Sequence, residues 1–184
     1  RGITIGVLNT GWARTPGIFD AYRQTAAEHG HAAGHDKLAY MALIGVGRTR
    51  EEGCRRADQI LDYSRTSGIV APQFANPPGY VAPAMAATAI RGSANTARAT
   101  RLQTRDGKPI NPRTVGVEDA IGAGLVFAGT PDDVWHQLKE FYDHVGGFGH
   151  LLMMAQGGHI SHADTVDNLT LFSKEVLPRM AELG

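Results

Sequence analysis

The sequence is poor in cysteine, in aromatic residues and in unbalanced charge. A single cysteine, Cys54, excludes an internal disulfide, which makes a reducing cytoplasmic compartment the expectation. Eighteen basic side chains face eighteen acidic ones in 184 residues. With no long Lys/Arg run either, nothing marks the chain as a binder of nucleic acid or of an acidic membrane surface. No stretch approaches the roughly 18 apolar residues of a membrane span, and the opening Arg1-Gly2-Ile3-Thr4-Ile5 has neither the charged region nor the cleavage site expected of a signal peptide. Also absent are a Walker loop, a Gly-x-Ser-x-Gly elbow, His-Glu-x-x-His and Cys-x-x-Cys, so self-contained hydrolytic chemistry has no support.

What is present alternates between strand and helix. Ile3 to Leu8 and Leu38 to Val46 are apolar at nearly every position, as suits strands covered on both faces in a parallel sheet. Between them, Thr15-Pro16 reads as an N-cap and first-turn proline, followed by Ile18, Phe19, Tyr22 and Ala26 on one face as far as His29-Gly30. Thr49-Arg50-Glu51-Glu52 reads as a capping box opening a second helix. Thr130-Pro131-Asp132-Asp133 opens another, with Val134, Leu138 and Phe141 on its apolar side and Gly146-Gly147 at its end. Phe148 to Ala155 is a third buried strand. Ser161 caps a last helix with Leu169, Phe172, Val176, Met180 and Leu183 at steps of three or four.

Strands alternating with helices predict right-handed βαβ units, in an open sheet or a barrel. Three such strands leave two edges unpaired, and the chain enters its first strand with no preceding element. The sequence is therefore expected to be the later part of a longer chain. Between about residues 66 and 128 the periodicity fails, apart from a short alanine-rich helix near 82 to 90, and Pro72, Pro77, Pro78, Pro83, Pro109 and Pro112 punctuate it. An irregular stretch of that length is either a surface loop or an active-site lid.

Several motifs read most simply as structure. Gly45-Val46-Gly47 follows a strand, but the next glycine is Gly53, so the spacing of a dinucleotide fingerprint fails and a strand-end turn is expected. His29, His31 and His35 lie in a loop without fixed ligand spacing, so no metal site is expected. His159 and His162 read as surface and capping residues, Cys54 as a small buried hydrophobe, and Met153-Met154 as core.

Gly129-Thr130-Pro131-Asp132-Asp133-Val134, then Gly146 to Met154, then Leu171-Phe172-Ser173-Lys174-Glu175-Val176-Leu177-Pro178 resemble the C-terminal part of the bacterial luciferase-like flavin-dependent monooxygenases. The likeness is to limonene-hydroxylase-like or alkanal monooxygenase-like members. It extends upstream through Leu38 to Gly53 and Ala71 to Phe74. It implies an α/β fold, a (β/α)8 TIM barrel of which this chain holds the last three strands and their helices. Residues 1–184 are then the C-terminal part of one barrel domain, with an insertion or lid at about 66–128.

The resemblance further implies an enzyme that uses reduced FMN, supplied by a separate flavin reductase, and dioxygen to oxygenate a small apolar or aldehyde substrate. The alternatives are an F420-dependent oxidoreductase of the same fold and a noncatalytic partner subunit of a luciferase-like dimer, homo- or heteromeric. The family's catalytic histidine or cysteine belongs to early strands, and no residue here matches it. Barrel geometry places ligand sites at the C-terminal strand ends. That nominates Asn9, Thr10, Gln156 and Gly157 for the cofactor, and Trp12, Phe74 and Tyr80 for the substrate pocket or lid.

Overall fold

The computed structural model describes residues 2–66 and 102–183. Phe74, Tyr80 and the alanine-rich helix lie outside the described residues. Within them run β1 (Ile5–Leu8), α1 (Gly11–Glu28), a short 3-10 turn (His35–Lys37), β2 (Leu38–Val46), α2 (Arg50–Thr66), α3 (Val117–Gly122), β3 (Val126–Gly129), α4 (Pro131–His144), β4 (His150–Met154), α5 (His162–Leu171), a π-helical turn (Phe172–Val176) and α6 (Leu177–Met180).

All strand pairs are parallel and all run through β2. β1 pairs along Leu38 to Met41, β3 along Leu43 to Val46, and β4 along Ala39 to Leu43. Since β1 and β4 both flank residues 39 to 41, they occupy opposite edges of β2. β3 continues on the edge of β1, where the Leu43 N–H donates to the Leu125 carbonyl. Three strands were foreseen from apolar runs; β3, only four residues long, was not.

Alternation along β2 sends its side chains to two cores. Leu38, Tyr40, Ala42, Ile44 and Val46 pack with Phe19 of α1, with Val134, Leu138 and Phe141 of α4, and with Phe172 and Val176. Leu43 instead packs with Ala57, Ile60 and Leu61 of α2 and with Ile110, Val115, Ala120 and Leu125. Burial on both faces is why β2 reads as a continuous apolar run. The described part of the expected insertion, residues 102–128, is packed structure: it supplies β3 and half of this second core.

Three helix starts behave as their sequences predict. Thr130 Oγ1 accepts from the Asp133 N–H while Asp133 accepts from the Thr130 N–H, a full capping box. Ser161 Oγ accepts from the Asp164 N–H at 3.1 Å. Thr49 Oγ1 accepts from the Glu52 N–H at 3.2 Å, although the Glu52 carboxylate turns to the Arg48 N–H instead of closing the box. The start of α1 differs from expectation. The helix begins at Gly11, so Pro16 lies inside it. Thr15 is buried and donates to the Gly11 carbonyl.

Candidate functional site

Of the two sheet faces, one half is left open. Leu8 stands opposite Met41, and Met41 opposite Leu152, so the three form one cross-strand row. Leu8 is 56% exposed and Leu152 50%, with Met41 half-buried between them. The row spans two strand spacings, about 10 Å. α2 and the 102–125 segment cover the same face only above it, over Leu43 and Gly45. A contiguous exposed apolar row on a sheet whose other face is packed marks a surface built to meet something apolar.

Asn9 and Thr10 follow Leu8 directly. Asn9 holds the left-handed conformation at φ 52°, and its side chain is exposed with no hydrogen bond among the described residues. The Thr10 hydroxyl is engaged with that of Thr15 at 2.7 Å. Among the described helices of eight residues or more, α1 alone starts with neither an acidic residue nor a side-chain cap. The other three N-termini are filled by Glu52, Asp133 and Asp164. The first turn of α1 is instead met from inside the molecule, where the Trp12 N–H donates to the Ala123 carbonyl at 2.9 Å.

Trp12 is buried and does not reach the open row. It packs edge-on to Phe141, with ring centroids 5.4 Å apart, and beside His144 at 4.5 Å, in the core on the opposite face. Its indole N–H has no partner among the described residues.

At the far strand, Gln156 is exposed and free of hydrogen bonds among the described residues. Gly157 and Gly158 turn the chain at positive φ. A Cβ on Gly158 would lie 1.9 Å from the Gln59 carbonyl, so this turn presses directly on α2. Exposed Tyr63 of α2 stands beside it, its Cβ 3.4 Å from the position a Gly157 Cβ would take. Sequence reasoning missed Tyr63, because an aromatic residue inside a helix reads as core.

Above the turn lies a charge network that the sequence did not disclose. Arg56, only 2% exposed, donates to Asp164 at 3.0 Å, to Glu52 and Asp167 at 2.7 Å, and to the Val46 carbonyl at 2.6 Å. Arg48 grips Asp167 with two bonds of 2.8 Å, and Arg55 holds Asp164. The Arg55 guanidinium first, then Arg56, holds the Asp164 carboxyl far below the usual carboxylate range. Arg48, then Arg56, lowers that of Asp167. This network clamps α2 to α5. Half-buried Cys54 sits 3.9 Å from Glu118, and burial, then that carboxylate, pushes its thiol up, away from nucleophilic reactivity. No group of three His, Cys, Asp or Glu side chains among the described residues is arranged to hold a metal.

No protein-family model matches the sequence, and no curated protein does. Solved structures do. The chain superposes with a TM-score of 0.60 on the monooxygenase RslO1 from Streptomyces bottropensis, at 13% identity over 97% of this chain and 42% of that one. It has the fold of part of a luciferase-like barrel. The same architecture gives a TM-score of 0.57 with a type II Baeyer–Villiger monooxygenase, the oxygenating constituent of 3,6-diketocamphane monooxygenase from the CAM plasmid of Pseudomonas putida, in complex with FMN. There the identity is 20%, over 94% of this chain and 42% of that one. With the coenzyme F420-dependent tetrahydromethanopterin reductase from Methanopyrus kandleri the TM-score is 0.54 at 14% identity, over 96% and 45%. The chain therefore spans less than half the length of each. In this luciferase-like frame β1, β2 and β4 are consecutive neighbours in a partial barrel.

Proposed function

We propose that this chain forms part of a cytoplasmic, luciferase-like flavin-dependent monooxygenase that oxygenates a small apolar or aldehyde substrate. The observation that carries the reading is the open Leu8–Met41–Leu152 row on a fold shared with an FMN-bound monooxygenase. A flat ring with a polar edge fits it: three apolar side chains supply the floor, with the free carboxamide of Asn9 directly after Leu8 and that of Gln156 four residues beyond Leu152. Asn9 and Thr10, at the strand end beside this row, are proposed to contact the cofactor's polar edge. Gly157, which packs against Met154 and Tyr63, is proposed to contact the cofactor through its backbone.

When bound, reduced FMN supplies the electrons that activate dioxygen for insertion of one oxygen atom into the substrate. The side chains of this chain bind and orient the ring and exclude water from it, because Leu8, Met41 and Leu152 offer water nothing to bond. Phe74 and Tyr80, outside the described residues, are proposed to contribute to the substrate pocket. Reduced FMN would come from a separate flavin reductase. Trp12 contributes through packing, by seating the start of α1 on Phe141 and His144.

The likeness to an F420-dependent reductase favours hydride transfer with that deazaflavin as the second reading. Titrating the polypeptide that carries this chain with FMN, reduced FMN and F420 separates the two. Binding of reduced FMN with oxygenation of a small aldehyde or terpene supports the monooxygenase, whereas binding of F420 alone supports the reductase. A polypeptide that folds but binds neither is expected of a noncatalytic partner subunit in a dimer.

A further inference from the structure

β2 outruns β4. Pairing between them stops at Leu43 opposite Met154, leaving Ile44 and Val46 with backbone groups on an edge that no strand covers. Those groups are nevertheless bonded. Asn168 of α5, 0% exposed, donates from Nδ2 to the Ile44 carbonyl at 2.9 Å and accepts at Oδ1 from the Val46 N–H at 2.7 Å. One residue of a parallel neighbour strand makes the same pair of bonds with its own N–H and C=O, to residues i and i+2. Arg56 then takes the Val46 carbonyl at 2.6 Å. Two side chains thus finish the ladder in place of a strand.

The backbone N–H and C=O that Asn168 replaces are those of the next residue in register on β4, Gln156, opposite Gly45. Asn168 Nδ2 also donates to the Ala155 carbonyl at 3.4 Å, holding the chain at the point where it leaves the sheet. Freed from the ladder, Gln156 to Gly158 turn across α2 through two glycines at positive φ. We propose that Asn168 is a positioning residue: its carboxamide stands in for the backbone N–H and C=O of Gln156 and so sets where the chain leaves the sheet and the Gln156 side chain is presented. What the turn binds rests on the flavin reading. The ladder geometry stands without it.

Asn168→Asp tests this, since it keeps the size and the acceptor for Val46 but loses both donations. Asn168→Ser serves in its place if the aspartate variant does not fold. Two quantities are measured on the polypeptide carrying this chain: amide hydrogen exchange without flavin, and the Kd for reduced FMN. Exchange of the His159 amide, which donates to the Gln59 carbonyl where the turn meets α2, is expected to rise at least tenfold, while that of α4 stays unchanged. Asn168→Asp and Gln156→Ala should each weaken FMN about tenfold, and the double variant no more than either, because both remove the same contact. Unchanged exchange at His159, or multiplied losses of about a hundredfold in the double variant, would overturn the proposal. If the unaltered protein binds no flavin, the flavin reading fails and the exchange result alone decides the role of Asn168.

Discussion

Proline at position 16 deprives the Trp12 carbonyl of the N–H that an uninterrupted helix would send it. His144 supplies the missing donor, its Nε2 lying 2.9 Å from that oxygen, so the ring must carry its proton there. His144→Ala is expected to cost about 1 kcal/mol, and less in a Pro16→Ala background, where the new N–H serves the carbonyl. Thermal melts of the two single variants and the double variant check this. Close approach of backbones governs another residue. A Cβ on Gly53 would lie 2.3 Å from the Gly129 carbonyl, and one on Gly45 2.5 Å from that of Gly53. Gly53→Ala should therefore destabilise by about 2 to 3 kcal/mol, read as a lower denaturant midpoint. Gly45-Val46-Gly47 was read as a strand-end turn because its spacing excluded a nucleotide loop. The distances give these glycines their reason, which is helix-on-strand packing.

Among elements, the join between α2 and α5 depends on charge. Asp164 and Asp167 have carboxyls lowered by Arg55 and Arg48 respectively, whereas in the unfolded chain aspartate titrates near 3.9. A lowered folded-state value contributes stability above the unfolded value and loses it as pH falls through the folded one. Stability is thus expected to decline from about pH 5 downward, and Asp164→Asn should lower it at pH 7 while flattening the acid slope. Urea melts at pH 7, 5 and 3.5 measure both. Helix starts were the most legible elements, because Thr130, Thr49 and Ser161 act locally through bonds three residues away. The last helix was less so. Leu169 is exposed, Asn168 is buried, and the π-helical turn at Phe172–Val176 shifts the face before Val176. Spacing alone cannot report a polar residue whose partners, Ile44 and Val46, lie more than a hundred positions away. Arg56 was hidden for the same reason: its carboxylate partners from α5 meet it only through the tertiary fold.

For the whole molecule, the sheet's two outer strands set the problem. β1 and β4 each have one edge without a strand partner among the described residues, and an apolar groove runs beside each. The one at β4, about 580 Å³, is lined by Tyr142, Leu151, Met153 and Phe172, and the one at β1, about 280 Å³, by Ile3 and Tyr22. Apolar runs foretold a parallel sheet needing partners on both sides, and the likeness to RslO1 over 42% of that chain bears out a partial barrel. The open row was not foretold, because register decides which apolar residues stand together and no single run encodes it. A charge placed on the row tests its role. Leu152 is half exposed, so Leu152→Glu should leave stability within about 0.5 kcal/mol. It should weaken any apolar ligand of that face at least tenfold, since the carboxylate would have to be desolvated. The decisive measurement is the Kd of reduced FMN for the polypeptide carrying this chain, with and without Leu152→Glu. Binding by the unaltered protein and a tenfold or greater loss in the variant is the predicted result. Equal affinity in both, or no binding of flavin by either, would contradict the account.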